Sequence, residues 1–337
     1  MDRTIFLLGA NMIGAVLRAI DNLTGRGDAA VTVPALDGAL RPNRRLDEAG
    51  TRLPLEGVDS IVLQFGSPVA SAGNTLYRLC DGTDWRPWRE FDSRIACIAE
   101  ARDDGLAVVL DDGQILVEDG STPSRGYSVP AGLNCITAVA ASPSAIYLAN
   151  GSASNTAANW QTDLLQRNAT GSIWRLDRQS GESRQLADRL AWPSGLLIEE
   201  NPGDAALIFS EAWKHRLVRL SVAGGGTTVV HADLPGYPGR LAPAKDGAWL
   251  AVFAPRSQLV EFVLREQAYK TRMIADVPRQ FWIAPTLRSG RSFYEPLQGG
   301  SVKQLGLLKP WAPTLSAGLC VRLDLAFQPV FSLHSRA

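Results

Sequence analysis

The feature that most constrains the fold is a succession of short apolar runs separated by turn residues. The clearest unit spans residues 190–220. An apolar strand follows the turn Trp192-Pro193-Ser194-Gly195, a second runs through residues 206–210, and a third through residues 216–221 before a glycine triplet. Such a unit buries its two faces only against neighbours of the same kind, so the pattern predicts a stack of repeated sheets.

The spacing of the units favours a radial arrangement. Pro193 and Pro238 begin equivalent turns forty-five positions apart, close to the ~40–50 residues of a propeller blade. Asp-Gly pairs at residues 81–82, 104–105 and 112–113 are the strongest short-range hairpin signal in a sequence. The prediction is an all-β propeller without βαβ units.

The chain divides into two predicted regions. Residues 1–56 are expected to form an N-terminal helix and a connector, and residues 57–337 the propeller domain, with a partly helical insertion at 254–317 that caps one mouth of the channel. The apolar residues 4–20 are shorter than the ~20 residues that a membrane span needs. They predict a helix on the propeller or on a membrane surface, as a possible peripheral membrane contact. A cytoplasmic location is favoured, and a membrane-associated one is the alternative.

Composition excludes some partners. The chain has 34 basic and 34 acidic residues, so it lacks the basic excess that nucleic-acid binding requires. The four cysteines are far apart in apolar runs and predict buried reduced thiols, not a zinc site or a disulfide scaffold. His215 lies between Lys214 and Arg216 at a hairpin, which favours a solvated turn residue.

Five short motifs carry a family resemblance. They are the turn at residues 150–152, residues 160–165 of a long polar loop, the strand at 171–177, the Trp-Pro-Ser-Gly turn at 192–195, and Ser210-Glu211 leading into residues 216–220. In this order the chain resembles the strictosidine-synthase-like proteins, in the six-bladed propeller group that also contains gluconolactonases and paraoxonases. The resemblance implies a six-bladed β-propeller whose last blade is incomplete in this chain.

The resemblance also implies a small-molecule enzyme with its pocket at the channel mouth, under the insertion at 254–317. The reaction would be a Pictet-Spengler-type condensation of an amine with an aldehyde, as in a lyase, or the hydrolysis of an ester or lactone. The alternative is a non-catalytic ligand-binding or membrane-associated scaffold. The family's catalytic glutamate belongs to the last blade and has no counterpart here, so the catalytic candidates are Asp59 and Glu211. For Glu211 an ion pair with Lys214 or Arg216 is the alternative.

Hydrolases of the group hold a divalent cation such as calcium in the channel. By resemblance its ligand positions fall on Asp59, Ser194 and Gly239, and two of these have lost the expected oxygen. No cofactor is therefore expected, with calcium as the alternative. We expect Arg240 to point into the channel, to pair with Asp59, and to receive an anionic or oxygen-rich ligand in place of the metal. Asn150, Ser194 and Arg240 are the predicted substrate-binding residues.

Overall fold

The repeated apolar runs form five four-stranded antiparallel sheets in a computed structural model. The structure describes residues 33–101, 105–118, 124–199, 205–224, 226–286, 302–304, 307–309 and 318–335. Each sheet is an antiparallel meander, in which the strands of that sheet pair in the order in which they occur along the chain. Tight turns between short strands favour this arrangement. The protein is a β-propeller.

The first three sheets are formed from strands that follow one another along the chain. The first contains β1 (Val58–Gln64), β2 (Ser67–Ala72), β3 (Thr75–Cys80) and β4 (Asp84–Glu90). The second contains β5 (Ile95–Ala101), β6 (Gly105–Leu110), β7 (Gln114–Glu118) and β8 (Arg125–Ser128). The third contains β9 (Ile136–Ala141), β10 (Ala145–Asn150), β11 (Gly171–Asp177) and β12 (Ser183–Leu190), with helix α1 (Trp160–Gln166) between β10 and β11.

The last two sheets complete the described ring. The fourth contains β13 (Pro193–Glu199), β14 (Ala206–Glu211), β15 (Arg216–Ser221) and β16 (Thr227–His231). The fifth starts with β17 (Gly236–Ala244) and β18 (Gly247–Pro255). Helices α2 (Gln258–Arg265) and α3 (Gln267–Asp276) and the short hairpin of β19 (Val302–Gln304) and β20 (Leu307–Lys309) come next. The fifth sheet then ends with β21 (Gly318–Leu323) and β22 (Pro329–Ser335).

The prediction of six blades is wrong for the described residues, which form five. The final two strands do not begin a sixth blade, because β21 pairs with β18 through Val321 and Leu250, and β22 pairs with β21. The insertion separates β18 from β21 in the sequence, and local patterns carry no information about pairing across such a gap. The prediction that the insertion is partly helical is confirmed by α2 and α3, and the Ser257 hydroxyl caps α2 by accepting from the Val260 N–H.

Apolar clusters join four pairs of consecutive sheets. Val69 and Leu106 belong to the cluster between the first and second sheets, and Val109 and Ile146 to that between the second and third. Phe209 lies between the third and fourth sheets, and Leu250 between the fourth and fifth. Among the described residues, no such cluster joins the fifth sheet to the first.

The connector before β1 contributes to this packing, contrary to its reading as a plain linker. Leu36 and Leu40 are buried in the cluster of the fourth and fifth sheets. Asn43 and Leu46 then hydrogen-bond to the backbone of β22, which covers the outer edge of the fifth sheet. The Trp85 indole N–H donates to the Leu53 carbonyl, so the connector passes from the fifth sheet to the first on the outside of the ring.

The predicted N-terminal helix at residues 4–20 and its membrane contact lie outside the described residues. In the part of the chain that the structure describes, no helix has the length and apolarity needed to cross a bilayer.

Candidate functional site

The five innermost strands enclose one cavity. It has a volume of about 680 Å³ and is walled by β1, β5, β9, β13 and β17, together with side chains from the outer strands of the fifth sheet. Most lining residues are aliphatic or small, among them Val62, Ile98, Ala140, Leu196 and Leu241. The ionisable residues that line it are Asp59, Glu100, Arg240 and Cys320.

Arg240 reaches across the channel from the fifth sheet and ties the first three sheets together. Its Nη2 lies 2.5 Å from Asp59 Oδ2 and 3.2 Å from the Ala96 carbonyl oxygen. Its Nη1 donates to the Thr137 carbonyl oxygen at 3.2 Å. The predicted pairing of Arg240 with Asp59 is confirmed, and the side chains of the two residues remain 31% and 37% exposed. A ligand in the cavity can therefore reach both.

The residues at the family's cation position do not fit a divalent ion. The Ser194 hydroxyl is buried and donates to the Pro238 carbonyl at 2.9 Å, while the Gly239 carbonyl accepts from the Ser210 hydroxyl at 2.7 Å. The oxygens of Ser194 and Gly239 thus bind the protein itself. Asp59 already faces a fixed guanidinium, whose charge opposes that of a calcium ion. Among the described residues no group of three or more His, Cys, Asp or Glu could hold a metal ion.

Two of the predicted substrate-binding side chains are engaged elsewhere. Asn150 is buried; its Oδ1 accepts from the Cys135 N–H at 3.1 Å and its amide donates to the Ser152 carbonyl at 2.9 Å. Asn150 fixes the turn after β10, and neither it nor Ser194 belongs to the cavity lining. Direct binding of a ligand by Asn150 or Ser194 remains a prediction, and the hydrogen bonds of these two side chains do not support it.

Glu211 is a structural carboxylate. It is fully buried, and its Oε1 accepts from the Ala191 N–H at 2.8 Å and lies 2.8 Å from Lys214 Nζ. Its Oε2 lies 2.5 Å from Arg216 Nη2. The predicted pairing with Lys214 or Arg216 is confirmed for both. Since both oxygens are occupied and Glu211 does not line the cavity, its contacts give no support to a catalytic role.

Asp59 differs from Glu211 in being accessible. Its Oδ2 receives the Arg240 guanidinium and the Ser60 hydroxyl. Its Oδ1 has no hydrogen-bond partner among the described residues. Of the two catalytic candidates, the structure therefore leaves only Asp59 facing the cavity.

An aromatic cluster lies outside the cavity lining and joins α1 with residues in or next to β13, β14 and β18. Trp192 stacks on Trp213 at 5.2 Å between ring centroids, and Trp160 of α1 meets Phe253 edge to face at 5.5 Å. The buried Asp163 of α1 fixes the arrangement by accepting from the Trp213 indole N–H at 2.8 Å. These residues are far apart in the sequence, so no local pattern predicts that they meet.

A buried polar network holds the insertion to the sheets, and no sequence motif predicts it. Glu261 of α2 accepts from the Tyr237 hydroxyl at 3.1 Å and from Arg256 Nε at 3.3 Å, and His215 Nε2 lies 3.3 Å from it. His215 is only 6% exposed, so its assignment as a solvated turn residue is wrong. Burial alone would raise the pKa of Glu261, but His215 and Arg256 outweigh it and lower that pKa to about 2.

The insertion caps sheets without lining the cavity. Val260 and Met273 from α2 and α3 pack with Leu164 of α1 and with Tyr237. None of the described residues of the insertion borders the cavity. Ala254 at its start and Phe253 just before it belong to the apolar cluster of α1, α2 and α3. The predicted location of the pocket beneath the insertion has no support in the described residues.

The four cysteines are free thiols, as predicted, but only Cys97 and Cys135 are buried, while Cys80 and Cys320 are half-buried. Burial raises the pKa of Cys97 to about 12, although the nearby Arg240 acts in the opposite direction. Burial likewise raises the pKa of Cys135 to about 12. Neither thiol supplies a thiolate at neutral pH.

No family model matches the sequence. The protein Strictosidine synthase-like 13 of Arabidopsis thaliana is 30% identical over 101 residues. The matched part covers 29% of this chain and only 25% of the relative. The predicted resemblance to strictosidine-synthase-like proteins is thereby confirmed over that part of the chain.

Solved structures similar to this chain include two bacterial proteins. The calcium-binding protein regucalcin from Agrobacterium tumefaciens is 15% identical with a TM-score of 0.44, covering 64% of this chain and 72% of its own. Virginiamycin B lyase from Staphylococcus aureus is 17% identical with a TM-score of 0.41, covering 58% of this chain and 62% of its own.

Proposed function

We propose that this propeller binds a small molecule in its channel, with a polar group of the ligand at the Asp59–Arg240 pair. The observation that supports the proposal is an apolar cavity of about 680 Å³ with one accessible ion pair in its wall. Ligand pockets typically measure roughly 300–1,000 Å³ and combine apolar walls with a few polar groups that orient the ligand.

Arg240 supplies the polar contact without a metal. Asp59 and the Ala96 and Thr137 carbonyls engage three of its five N–H groups. Cys97 is a further side-chain hydrogen-bond partner, so one N–H group remains to meet an oxygen of the ligand. The pair is held from three sides, which fixes the guanidinium before the ligand arrives. A preorganised donor of this kind loses little entropy on binding.

A displacement assay tests the binding function. Nile red, a neutral dye whose fluorescence rises in apolar surroundings, reports occupation of the cavity. Arg240→Met should weaken dye-competing ligands about tenfold, the effect of one lost charge-assisted hydrogen bond. The matched control is Arg175→Met, which removes the comparably exposed Arg175–Asp177 pair of the third sheet outside the cavity. Equal affinity in both variants would contradict the proposal.

A second candidate function is metal-independent catalysis with Asp59 as the acid–base group. The supporting observation is that Asp59 presents a free Oδ1 to the cavity while Arg240 holds its Oδ2. By resemblance the reaction is amine–aldehyde condensation or the hydrolysis of an ester or lactone. Screening both reaction classes in the presence of a chelator, with Asp59→Asn as the inactive variant, tests it. Binding without turnover in either screen would leave a non-catalytic ligand-binding protein.

A further inference from the structure

The cavity extends from the channel over the outer strands of the fifth sheet. Four sheets contribute only their innermost strands to its lining, but the fifth also contributes Trp249, Ala251, Cys320 and Leu333 from its outer strands. Ala251 pairs with Cys320, and Cys320 with Leu333, so the three side chains form one row across the sheet. Two strand spacings separate β18 from β22, which makes this row about 10 Å long.

The alternation of burial in the fifth sheet shows which of its faces is open. Leu250, Val252 and Val321 are buried against the fourth sheet, whereas their neighbours Ala251 and Cys320 are exposed or half-buried. Residues i and i+1 of a strand point to opposite faces. The face that carries Ala251 and Cys320 therefore points towards the first sheet.

The first sheet meets this open face with exposed aliphatic side chains. Ile61 and Leu63 of β1 are 56% and 53% exposed, and Ile61 lines the same cavity as Ala251 and Leu333. Apolar clusters fill the other four junctions between neighbouring sheets, but none formed by the described residues fills this one. The result is an apolar slot that leads from the channel towards the outside of the ring.

The charges at the cavity limit what can occupy it. Two carboxylates, Asp59 and Glu100, and one guanidinium, Arg240, line it, so the lining carries a formal charge of −1 from these groups. The side chains along the slot itself are uncharged. An anionic head group would meet this negative balance. A hydroxyl can donate to Asp59 and accept from Arg240, and a protonated amine can donate to Asp59 and matches the negative balance.

We propose that the ligand is an elongated amphiphile whose hydroxyl or amine lies at the Asp59–Arg240 pair and whose apolar body lies in the slot across the fifth sheet. This inference rests on the proposed binding function and adds the ligand's shape, its polarity and a lateral route between the fifth and first sheets. Small side chains at Ala242, Ala251 and Cys320 leave the space for that body, between Trp249 and Leu333.

Chain-length and head-group series test the proposal. Hexanol, octanol and decanol should bind with affinity rising about fourfold per methylene, the value for a fully buried CH₂. Decylamine should bind at least as tightly as decanol, and decanoate several-fold more weakly. A flat dependence on chain length, or preference for decanoate, would overturn the inference.

Variants locate the apolar body. Ala251→Phe fills the slot and should weaken decanol about tenfold or more, because the phenyl group takes the ligand's place. Thr228→Phe adds the same side chain at an exposed strand position outside the cavity and should leave decanol affinity unchanged. Thermal unfolding checks that both variants are folded. Equal decanol affinity in the two variants would show that the slot is not the site.

A spectroscopic readout covers the case in which Ala251→Phe does not fold. A decanol brominated at its far end should quench part of the tryptophan fluorescence, and Trp249→Phe should remove most of that quenching. Quenching that persists unchanged in Trp249→Phe would place the tail elsewhere. If no probe binds the unmodified protein, the proposed binding function falls as well. If decanol binds the unmodified protein, but Ala251→Phe does not weaken binding and Trp249→Phe does not reduce quenching, the lateral slot is wrong and the proposed binding function stands.

Discussion

Two junctions of the ring are held together by different interactions. One lies between the fourth and fifth sheets, and the other between the fifth and first. The first is filled by an apolar cluster that includes Ile208 and Leu250, and the hydroxyls of Ser194 and Ser210 bind the backbone of β17 across it. The second lacks such a cluster among the described residues, and the Asp59–Arg240 pair bridges it beside the channel. Apolar packing closes the junction of the fourth and fifth sheets. The partly exposed Asp59–Arg240 pair and the connector before β1 together close the junction of the fifth and first sheets.

This difference explains where a site can form. A packed junction has no room for a ligand, because its side chains already fill the space at interior density. The open junction keeps apolar surface and a charge pair accessible together. The same alternating strands thus produce core at one junction and a candidate binding site at the other.

The largest expected effect is at the packed junction. A Cβ on Gly195 would lie 2.3 Å from the Gly239 carbonyl oxygen, so Gly195→Ala should force the fourth and fifth sheets apart. We expect a loss of about 3 kcal/mol in the free energy of unfolding, measured by urea titration. Gly50→Ala is the control, since a Cβ there meets nothing within 4 Å. Similar stability of the two variants would contradict the close approach of β13 and β17.

Glu261 provides a pH-dependent test of the buried polar network that it forms with Tyr237, Arg256 and His215. Its pKa is about 2 in the folded protein against an ordinary 4.5. Because the folded-state pKa is lowered, its contribution is complete above pH 4.5 and disappears as the pH falls towards 2. At about 1.4 kcal/mol per unit, the contribution is about 3 kcal/mol.

Glu261→Gln should therefore destabilise the protein at neutral pH and lose most of this difference from the unmodified protein near pH 2. Urea unfolding over that pH range measures it. Glu182→Gln, at an exposed position, is the control and should follow the unmodified protein throughout. A Glu261→Gln difference that does not change with pH would indicate a packing effect instead of ionisation.

Smaller effects are expected at the open junction. Arg240→Met should cost about 2 kcal/mol, because it leaves Asp59 unpaired and the Ala96 and Thr137 carbonyls without their donor. A double-mutant cycle with Asp59→Asn should give a coupling of about 1 kcal/mol that falls as salt is added, since the pair is partly exposed. A coupling of zero would mean that the pair does not hold the first and fifth sheets together.

The smallest expected effect is that of calcium. Arg240 holds Asp59, and the oxygens of Ser194 and Gly239 bind the protein, so calcium at millimolar concentration should leave the melting temperature unchanged. A ligand that binds only the folded state raises it. Stoichiometric calcium binding that disappears in Asp59→Asn would contradict the assignment of Arg240 as the cation of the channel.

Much of the local structure was predictable from the sequence. The Asp-Gly pair at residues 112–113 does form the reversal between β6 and β7, and the helical spacing in the insertion does form α2 and α3. Even the contact between Asp59 and Arg240 was predictable, although 181 positions separate them, because the resemblance places Asp59 and Gly239, the neighbour of Arg240, at the same cation position in the channel.

The polar contacts of single residues were less predictable. Asn150, Glu211 and His215 each contact a buried polar partner that lies fifteen or more positions away in the sequence. Whether such a residue faces a cavity or a backbone N–H depends on small rotations of the chain at that position, which the residue type does not encode.

The sequence by itself determined the strands, their hairpins and the propeller class, because alternation and turn residues act over a few neighbouring positions. Only the tertiary structure decided the number of sheets, the junction left unpacked and the residues that face the cavity. The pairing of β18 with β21 across the insertion decides all three. Such pairing depends on contacts between distant segments, whose cost in chain entropy and gain in burial no local pattern records.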